Sequence, residues 1–326
     1  MRMGENKNLG AINTYHSGSY MLDSVLWWWY PEGRVVEMYW PEWSGKTTLA
    51  LHAIAEIQKA WHTAAFIDAE HALDPTYAAA LWVDTDTLLL SQPDYWEQAL
   101  QIAQELARTW AVKLIVIDSV AAMVPRAEVE WDMGDSHMWL QARMMSQWLR
   151  KLTSILAKTG TICIFINQIR MKIGVMFWNP ETTTWWNALK FYASQRLEIR
   201  RWEKLTKNKE DYWYVAKVKI VKNKVAPPFK SVLIPVLFGE WFDETADLIE
   251  TALQFSLITR AWAFYTYWEK KVQWKDALIT RLLENPKSLT SLKDAVESHI
   301  KSMRMWKILI PSVEDDATDS VEPSED

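Results

Sequence analysis

Gly45, Lys46 and Thr47 form the segment of this sequence whose residue types are best suited to binding a phosphate. They follow an apolar, strand-like run at residues 35–39, and residues 48–60 have the pattern of a helix. At such a junction the N–H groups of the helix N-terminus point at phosphate oxygens, the lysine neutralises them and the hydroxyl reaches Mg²⁺. The segment therefore predicts a site for a nucleotide triphosphate.

The phosphate-loop pattern is incomplete at one position. It requires a glycine five residues before Gly45, and this chain has Trp40 there. An ordinary strand–turn–helix connection therefore remains an alternative interpretation of the segment.

Two further strand-like runs end in acidic residues. Residues 64–67 lead into Asp68 and Glu70, and residues 114–117 lead into Asp118. In an open α/β sheet, ligands bind at the carboxyl ends of the strands. An aspartate in the position of Asp118 is typical of a Mg²⁺-holding carboxylate, although an aspartate after a strand is also a common helix cap.

A third strand-like run, residues 161–166, ends in Asn167 and Gln168. The amide of Gln168 could bind a γ-phosphate or a neighbouring backbone group. Residues 169–184 show no hydrophobic periodicity and are long for a connection in a compact domain. Such length is typical of functional or mobile loops.

The hydrophobic pattern predicts an α/β fold in which helices flank a mostly parallel central sheet. The predicted helices of this part are residues 20–26, 48–60, 95–108 and 136–158, and further strands are residues 196–201, 215–221 and 231–237. After Gly239 the pattern changes to short helices at residues 245–255, 276–284 and 289–302.

Length and composition indicate one large domain and one small domain. A chain of 326 residues that is 49% hydrophobic can bury a sizeable core. We expect a polar segment at residues 1–16, a core at 17–240, a small C-terminal domain at 241–303 and an acidic tail at 304–326. Seven acidic residues lie in residues 314–326, and leaving them out changes the formal charge from −5 to +2.

The sequence has no apolar run of bilayer length and no signal-peptide core near its first residue, which predicts a cytoplasmic protein with no membrane partner. Cys163 is the only cysteine and the six histidines are scattered. This distribution argues against a disulfide framework and against a histidine–cysteine metal site.

Tryptophan is abundant in this chain and glycine is scarce, with 22 and 9 residues respectively. Tryptophans such as those at residues 27–29 and 185–186 are flanked by turn-like residues. Glycine is the expected residue in such places because it alone adopts positive φ without strain.

Many runs resemble the motifs of the bacterial RecA-type DNA recombinases. These runs are residues 41–42, 44–52, 64–75, 118–122, 133–137, 165–177, 179–184, 187–194 and 221–230. The resemblance extends from about residue 17 to residue 302. Most tryptophans stand where this family has glycine, among them Trp40, Trp61, Trp82, Trp96, Trp110, Trp131, Trp139, Trp178, Trp185, Trp186, Trp241, Trp262, Trp268 and Trp274.

The resemblance implies a RecA-like P-loop ATPase core with a small α+β C-terminal domain. It implies an ATP-driven filament on single-stranded DNA that pairs with double-stranded DNA and exchanges strands. It also implies a role in the DNA damage (SOS) response and a LexA-type repressor as a partner. The family's N-terminal element, which docks on a neighbouring protomer, has no counterpart before Ser17, so we expect a weakened filament.

The resemblance also implies roles for the nucleotide-site residues. Lys46 would hold the β- and γ-phosphates, Thr47 and Asp118 would hold Mg²⁺, and Glu70 would orient the attacking water. Gln168 would sense the γ-phosphate. The other ATP-contacting residues would be Pro41, Glu42, Ser44, Gly45, Thr48, Asp74 and Tyr77, with Tyr77 stacked on the adenine and Asp74 bonded to its edge.

Two lysines, Lys222 and Lys224, would act on the nucleotide of the adjacent protomer, as an arginine finger does. The DNA-binding loops would be residues 130–139 and 169–184. The DNA-binding residues would be Arg143, Arg150, Arg170, Met171, Lys172, Gly174 and Phe177, with little base reading. Lys190 and Phe191 resemble family residues at the protomer contact. From the sequence, an apolar core position fits Phe191 equally well.

Two other functions remain open at this point. One is a nucleic-acid-binding module of the same fold whose nucleotide site is disabled by Trp40 and Trp43. The other is a ring-forming helicase on the same ATPase core, which residues 169–184 and 221–230 fit less well than they fit a recombinase.

Overall fold

The computed structural model describes residues 13–26, 30–40, 45–123, 125–126, 138–171, 181–183, 188–207, 210–237, 244–268 and 270–309. The helices are α1 (Tyr20–Leu26), α2 (Lys46–Lys59), α3 (Pro75–Ala80), α4 (Trp96–Arg108), α5 (Met138–Thr159), α6 (Leu189–Tyr192), α7 (Glu244–Gln254), α8 (Lys275–Glu284) and α9 (Pro286–Leu309). The strands are β1 (Thr14–Tyr15), β2 (Tyr30–Pro31), β3 (Val35–Trp40), β4 (Thr63–Asp68), β5 (Leu89–Ser91), β6 (Val112–Asp118), β7 (Ile162–Met171), β8 (Glu181–Thr183), β9 (Gln195–Lys207), β10 (Glu210–Asn223), β11 (Ser231–Leu237), β12 (Ile258–Ala261), β13 (Phe264–Tyr267) and β14 (Lys270–Gln273).

A large sheet forms the centre of the protein. Its strands follow the order β11-β10-β9-β3-β7-β6-β4-β5. The six strands from β9 to β5 are parallel, and β10 and β11 extend the sheet as antiparallel strands. The predicted α/β fold with a mostly parallel central sheet is therefore confirmed.

The two faces of this sheet are covered by helices because its central strands are apolar on both sides. Leu114 and Val116 of β6 pack in one cluster with α2, and Ile115 and Ile117 pack in a second cluster with α4 and α5. This alternation follows from the two-residue period of a strand. A strand that is buried on both faces has a continuous apolar sequence, and this run is what predicted β6.

A third apolar cluster lies in the C-terminal region. It includes Leu248 of α7, Leu278 of α8 and Leu292 of α9, and Tyr20 of α1 joins it. The sequence predicted short helices here, and the structure adds a three-stranded antiparallel sheet, β12-β13-β14. This sheet agrees with the small α+β domain that the resemblance implied. The hydrophobic pattern did not show its strands because each has only four residues and none alternates regularly between buried and exposed side chains.

The predicted loop after Gln168 is partly a hairpin. Strand β7 continues to Met171, and its last three residues pair antiparallel with β8. The expectation that residues 169–184 lack regular structure is therefore wrong for 169–171 and 181–183. Short hairpin arms of three residues provide too little alternation to be visible as periodicity.

Among the tryptophans that the structure describes, six adopt the left-handed backbone conformation that favours glycine. They are Trp61, Trp82, Trp110, Trp262, Trp268 and Trp274, with φ between 51° and 72°. All six are exposed, by 62% to 96%. Gly160 has φ 71° in the same kind of helix-to-strand turn as Trp61 and Trp110.

Within the described residues, no helix combines the length and apolar character that crossing a membrane requires. The same part of the chain has no group of three or more His, Cys, Asp or Glu side chains arranged to hold a metal ion. Cys163 is buried in β7, where burial raises the pKa of its thiol.

Candidate functional site

The N-terminus of α2 lies after the carboxyl end of β3. Gly45, the residue before the helix, has φ 79°, and no side chain caps this helix end. The first N–H groups of a helix have no intrahelical partner. A helix end that has no side-chain cap is therefore available to an anionic ligand, and the helix dipole favours one.

Lys46 and Thr47 begin this helix, and they lie beside the end of β6. The Thr47 hydroxyl donates a hydrogen bond of 2.5 Å to Asp118 Oδ2. Lys46 is only 8% exposed and Asp118 only 7%. Burial raises the pKa of the Asp118 carboxyl to about 7, and the hydrogen bond from Thr47 opposes this shift.

Glu70 bonds residues from two other strands at the same edge of the sheet. Its Oε1 atom accepts a hydrogen bond of 2.5 Å from the Ser119 hydroxyl and one of 2.9 Å from Gln168 Nε2. Ser119 follows β6, and Gln168 lies in β7. The structure thus brings together Thr47, Asp118, Glu70 and Gln168, which the sequence had placed on separate strand ends.

These residues fit a Mg²⁺–nucleotide complex. A hydroxyl and a carboxylate are hard oxygen ligands of the kind that Mg²⁺ takes, usually with one or two carboxylates and substrate phosphates. The Asp118 carboxyl is buried beside the Lys46 charge. A divalent cation at this place would favour the ionised form of that carboxyl.

The predicted adenine-contacting residues lie on or next to α3. Asp74 caps this helix, with Oδ1 accepting a 2.8 Å hydrogen bond from Thr76 N. The Tyr77 hydroxyl and the Thr48 hydroxyl are 2.8 Å apart and share a hydrogen bond. Thr48 is in the first turn of α2, so this contact joins α3 to the phosphate-facing helix.

Lys222 and Lys224 lie near the amino end of β3, away from the Lys46 end of that strand. Lys222 Nζ donates 2.7 Å and 3.3 Å hydrogen bonds to the carbonyls of Lys190 and Phe191. Partial burial, together with the charge of Lys224, lowers the pKa of Lys222. The structure therefore does not bring either lysine to the site of its own chain.

Phe191 is 69% exposed, which excludes the core position that the sequence had left open as an alternative to the protomer contact. It lies on the four-residue helix α6, whose only buried side chain is Leu189. The Lys190 ammonium is 5.2 Å from the centre of the Phe191 ring. An exposed phenyl ring beside a cation is a feature of contact surfaces.

The predicted DNA-binding residues are only partly described. Arg143 and Arg150 are exposed on α5, and their spacing of seven residues places them on one face of the helix. For Arg170 and Met171 only the backbone in β7 is described. Pro41, Glu42, Ser44, Lys172, Gly174, Phe177 and the Trp40 side chain lie outside the described residues.

Ser119 was not predicted as a site residue. It is 1% exposed and holds Glu70 through the 2.5 Å hydrogen bond. Its position directly after Asp118 was the available signal. A small hydroxyl after a strand is too common for sequence to separate a site residue from an ordinary turn.

The fold and this edge of the sheet define a P-loop ATPase. A solved structure described as the RadB recombinase matches the fold with a TM-score of 0.52. The match covers 69% of this chain and 97% of that one at 19% sequence identity, so it supports the fold alone.

Sequence comparison identifies the family. The RecA N-terminal domain family matches residues 1–243. A RecA protein of Arthrospira platensis is 54% identical over 287 residues, which are 88% of this chain and 78% of that protein. A RecA protein of Acinetobacter baylyi is 51% identical over 302 residues, 92% of this chain and 86% of that protein.

The chain belongs to the RecA family. It is an ATP-dependent recombinase that binds nucleotide and DNA, forms filaments and hydrolyses ATP in a DNA-dependent way.

Proposed function

We propose that this chain assembles with ATP and Mg²⁺ on single-stranded DNA, pairs it with homologous double-stranded DNA and exchanges the strands. Its place would be the cytoplasm, in DNA repair and the SOS response, with a LexA-type repressor as one partner. The family membership and the assembled edge of the sheet support this proposal.

Lys46 and the N–H groups of α2 would bind the phosphates. Thr47 and Asp118 would hold Mg²⁺, whose chemistry when bound is to neutralise charge that develops on the phosphate oxygens. Pro41, Glu42, Ser44, Gly45 and Thr48 would complete the nucleotide contacts, with Asp74 and Tyr77 at the adenine.

Glu70 would orient the attacking water. Its Oε1 atom is held by both Ser119 and Gln168, so the carboxylate has a fixed direction before any ligand binds. A positioned base or orienting group contributes about 10²–10⁴-fold to a rate. Phosphoryl transfer depends almost entirely on such positioning and on charge neutralisation.

Lys222 and Lys224 would reach the nucleotide of a neighbouring protomer, which makes hydrolysis depend on assembly. Their place near the amino end of β3, on the side of exposed Phe191, supports a role between protomers rather than within one. Lys190 and Phe191 would lie at the same contact.

The DNA would lie along the loops of residues 130–139 and 169–184. Arg143, Arg150, Arg170 and Lys172 would contact phosphates, and Met171, Gly174 and Phe177 would complete the loop contacts. Binding of this kind neutralises phosphates and carries little base specificity.

We also propose the domain limits of 17–240 for the ATPase core and 241–303 for the C-terminal domain, between a polar segment 1–16 and an acidic tail 304–326.

The observation that carries the proposal is the pair of hydrogen bonds that joins Gln168, Glu70 and Ser119 beside the Thr47–Asp118 pair. The test is phosphate release from Mg²⁺–ATP measured against single-stranded DNA concentration. We expect DNA to stimulate turnover, and filaments to be visible by electron microscopy of the same sample.

A nucleic-acid-binding module with a disabled nucleotide site is the alternative function, and the family relationship does not favour it. It predicts that DNA binds equally well with and without ATP and that no phosphate is released. That outcome would overturn the proposed function.

A further inference from the structure

Glu37 is a charged residue in the middle of an otherwise apolar strand. It lies in β3 between β7 and β9, and its side chain is 1% exposed. An isolated carboxylate in such a position loses its hydration at a large cost in free energy. A buried acid must therefore be held by donors on the neighbouring strands.

Each oxygen of the Glu37 carboxylate has a different partner. Oε2 accepts a 2.5 Å hydrogen bond from Arg196 Nε on β9, and Oε1 accepts a 3.0 Å hydrogen bond from Asn167 Nδ2 on β7. The Arg196 guanidinium also lies 4.6 Å from the centre of the Tyr39 ring. The carboxylate thus connects three adjacent strands through side chains as well as through backbone.

Asn167 is the neighbour of the nucleotide-facing Gln168. Its Oδ1 atom accepts a 2.9 Å hydrogen bond from the Gln168 backbone N–H. The amide of Asn167 therefore has both ends engaged, by Gln168 on one side and by Glu37 on the other. A rotation of this amide would break both bonds.

Arg196 connects the other end of the network to the lysines proposed to act between protomers. Arg196 is paired in register with Lys222 on β10. The charge of Arg196 lowers the pKa of Lys222 and the charge of Glu37 raises it, after the larger effects of partial burial and of Lys224. The Glu37 and Arg196 charges are thus close enough to Lys222 to influence it.

We propose that Glu37 is a positioning residue of the ATPase, holding Asn167 beside Gln168 with one oxygen and Arg196 beside Lys222 with the other. Through these bonds it couples the nucleotide site of one protomer to the surface that acts on the next. This inference rests on the proposed function, because the coupling has meaning only in an assembling ATPase.

An internal ion pair with no role beyond packing is the competing explanation. Replacing a buried ion pair by apolar residues is often neutral or stabilising, so the pair is weak evidence for a stability role. The test must therefore measure coupling rather than stability. The suitable quantity is the ratio of single-stranded DNA affinities with a slowly hydrolysed ATP analogue and with ADP.

The first variant is Glu37→Gln, which keeps the shape and an acceptor for Asn167 but opposes the Arg196 donors with an amide. We expect the ratio of DNA affinities to fall by about tenfold, within the usual range of coupling between sites. Nucleotide affinity should stay within about twofold, because the Glu37 carboxylate bonds Asn167 and Arg196 rather than the residues proposed to hold the phosphates and Mg²⁺. The double variant Glu37→Gln/Arg196→Gln, with an amide pair, should recover part of the ratio.

The matched control is Glu198→Gln. Glu198 is also paired with an arginine on β9, through a 2.5 Å bond from Arg200 Nε, but it has no bond to Asn167. We expect this variant to keep the parent ratio. An equal loss of coupling in both variants would overturn the proposal, because it would trace the effect to β9 in general.

Asn167→Ala keeps the Glu37–Arg196 pair and removes only the bonds to Glu37 and Gln168, so it answers the question if Glu37→Gln does not fold. It should also lose the coupling, and an unchanged ratio in a folded Asn167→Ala protein would overturn the proposal.

If the parent protein itself shows no effect of nucleotide on DNA affinity, the proposed function fails first. If nucleotide changes DNA affinity equally in the parent and in the Glu37→Gln variant, the role proposed for Glu37 is overturned and the proposed function stands.

The six left-handed tryptophans carry a second, independent inference. Left-handed backbone is strained for a residue with a Cβ, and Trp274, with φ 72° and ψ 146°, lies close to a region that is essentially limited to glycine. Exposed indoles gain little burial in return. Only glycine satisfies all six positions without strain.

Tryptophan and glycine can be assigned to the same codon in different genetic codes. UGA is a stop codon in the standard genetic code, but some genetic codes translate it as tryptophan and others as glycine. We infer that the gene for this protein has UGA at these six positions and that its own cells translate UGA as glycine. The same reading at residue 40 would complete the phosphate-loop pattern.

The test is the gene sequence at the codons for Trp61, Trp82, Trp110, Trp262, Trp268 and Trp274, together with peptide masses of the protein from its native cells. UGA codons and glycine masses are expected. UGG codons, or peptides that contain tryptophan, would overturn this inference and leave the Glu37 proposal untouched.

Discussion

The carboxyl edge and the amino edge of the central sheet place opposite demands on the sequence. At the carboxyl edge, Asp118, Glu70 and Gln168 are held by side-chain hydrogen bonds. At the amino edge, Trp61 and Trp110 are exposed in turns whose backbone is left-handed. Side-chain chemistry is therefore specified at the first edge, and backbone conformation at the second.

The helix-to-strand turns of the amino edge make this difference clear. Gly160, between α5 and β7, has φ 71°, and Trp61 and Trp110 have φ 61° and 62° in the turns after α2 and α4. The three turn residues share a left-handed φ although one is the smallest residue and two are the largest. The helix end therefore sets the turn conformation, and the residue has to accept it.

The largest expected effect is at the carboxyl edge. Glu70→Gln should reduce DNA-stimulated ATP turnover by about 10²–10³-fold, because an amide cannot orient or activate water as a carboxylate does. ATP affinity and the urea midpoint should change little. The control is Glu56→Gln, whose partner is Lys59 on the surface of α2. Equal turnover in the parent and the Glu70 variant would exclude Glu70 from the chemistry.

A buried carboxyl away from both edges should affect stability and not chemistry. Asp247 accepts hydrogen bonds from Ser19 Oγ, Tyr20 N and Met21 N at 3.0, 2.6 and 3.4 Å, and burial raises its pKa to about 7. Because this folded-state pKa lies above the unfolded value, its contribution is present below about pH 4 and is lost as pH rises through 7.

Asp247→Asn should remove that pH dependence. The amide can accept from Tyr20 N and donate to Ser19 Oγ, so the helix cap is retained. Between pH 5 and pH 8 the parent should lose on the order of 1–3 kcal/mol more unfolding free energy than the variant, as urea denaturation would measure. Parallel pH profiles for the two proteins would show that Asp247 does not titrate in this range.

At the amino edge, replacing tryptophan by glycine should stabilise the protein. Trp61→Gly should raise the free energy of unfolding by about 1 kcal/mol, because relief of left-handed strain exceeds the added entropy of the unfolded chain. Trp61→Ala removes the indole but keeps the Cβ, so it should give no comparable gain. Gly160→Trp should destabilise by a similar amount. A gain for alanine equal to that for glycine would assign the effect to the indole rather than to φ.

The smallest expected change in stability is for Phe191→Ala, within about 0.5 kcal/mol, because the ring is 69% exposed. Filament formation on DNA should nevertheless be strongly reduced, as light scattering and electron microscopy would show. A surface variant, Phe229→Ala, provides a control with similar exposure of 73%. Normal filaments in the Phe191 variant would place the protomer contact elsewhere.

Sequence predicted the central fold well because buried parallel strands are continuous apolar runs and the helices between them are long. The sequence also predicted which residues lie at the carboxyl edge of the sheet, because Asp118 and Gln168 follow such apolar runs. What could not be predicted was pairing between side chains distant in sequence. Glu37 and Arg196 are 159 residues apart, and the short strands β8 and β12–β14 have too few residues to show a period.

Strand β7 runs without interruption from the core to Met171, with Gln168 partway along it. A displacement of one residue in a strand moves the next residues of that strand with it, whereas a loop can change its conformation and absorb the displacement. Any movement that a γ-phosphate imposes on Gln168 would therefore reach residues 169–171, where the proposed DNA-binding loop begins, only a few ångströms of extended chain away.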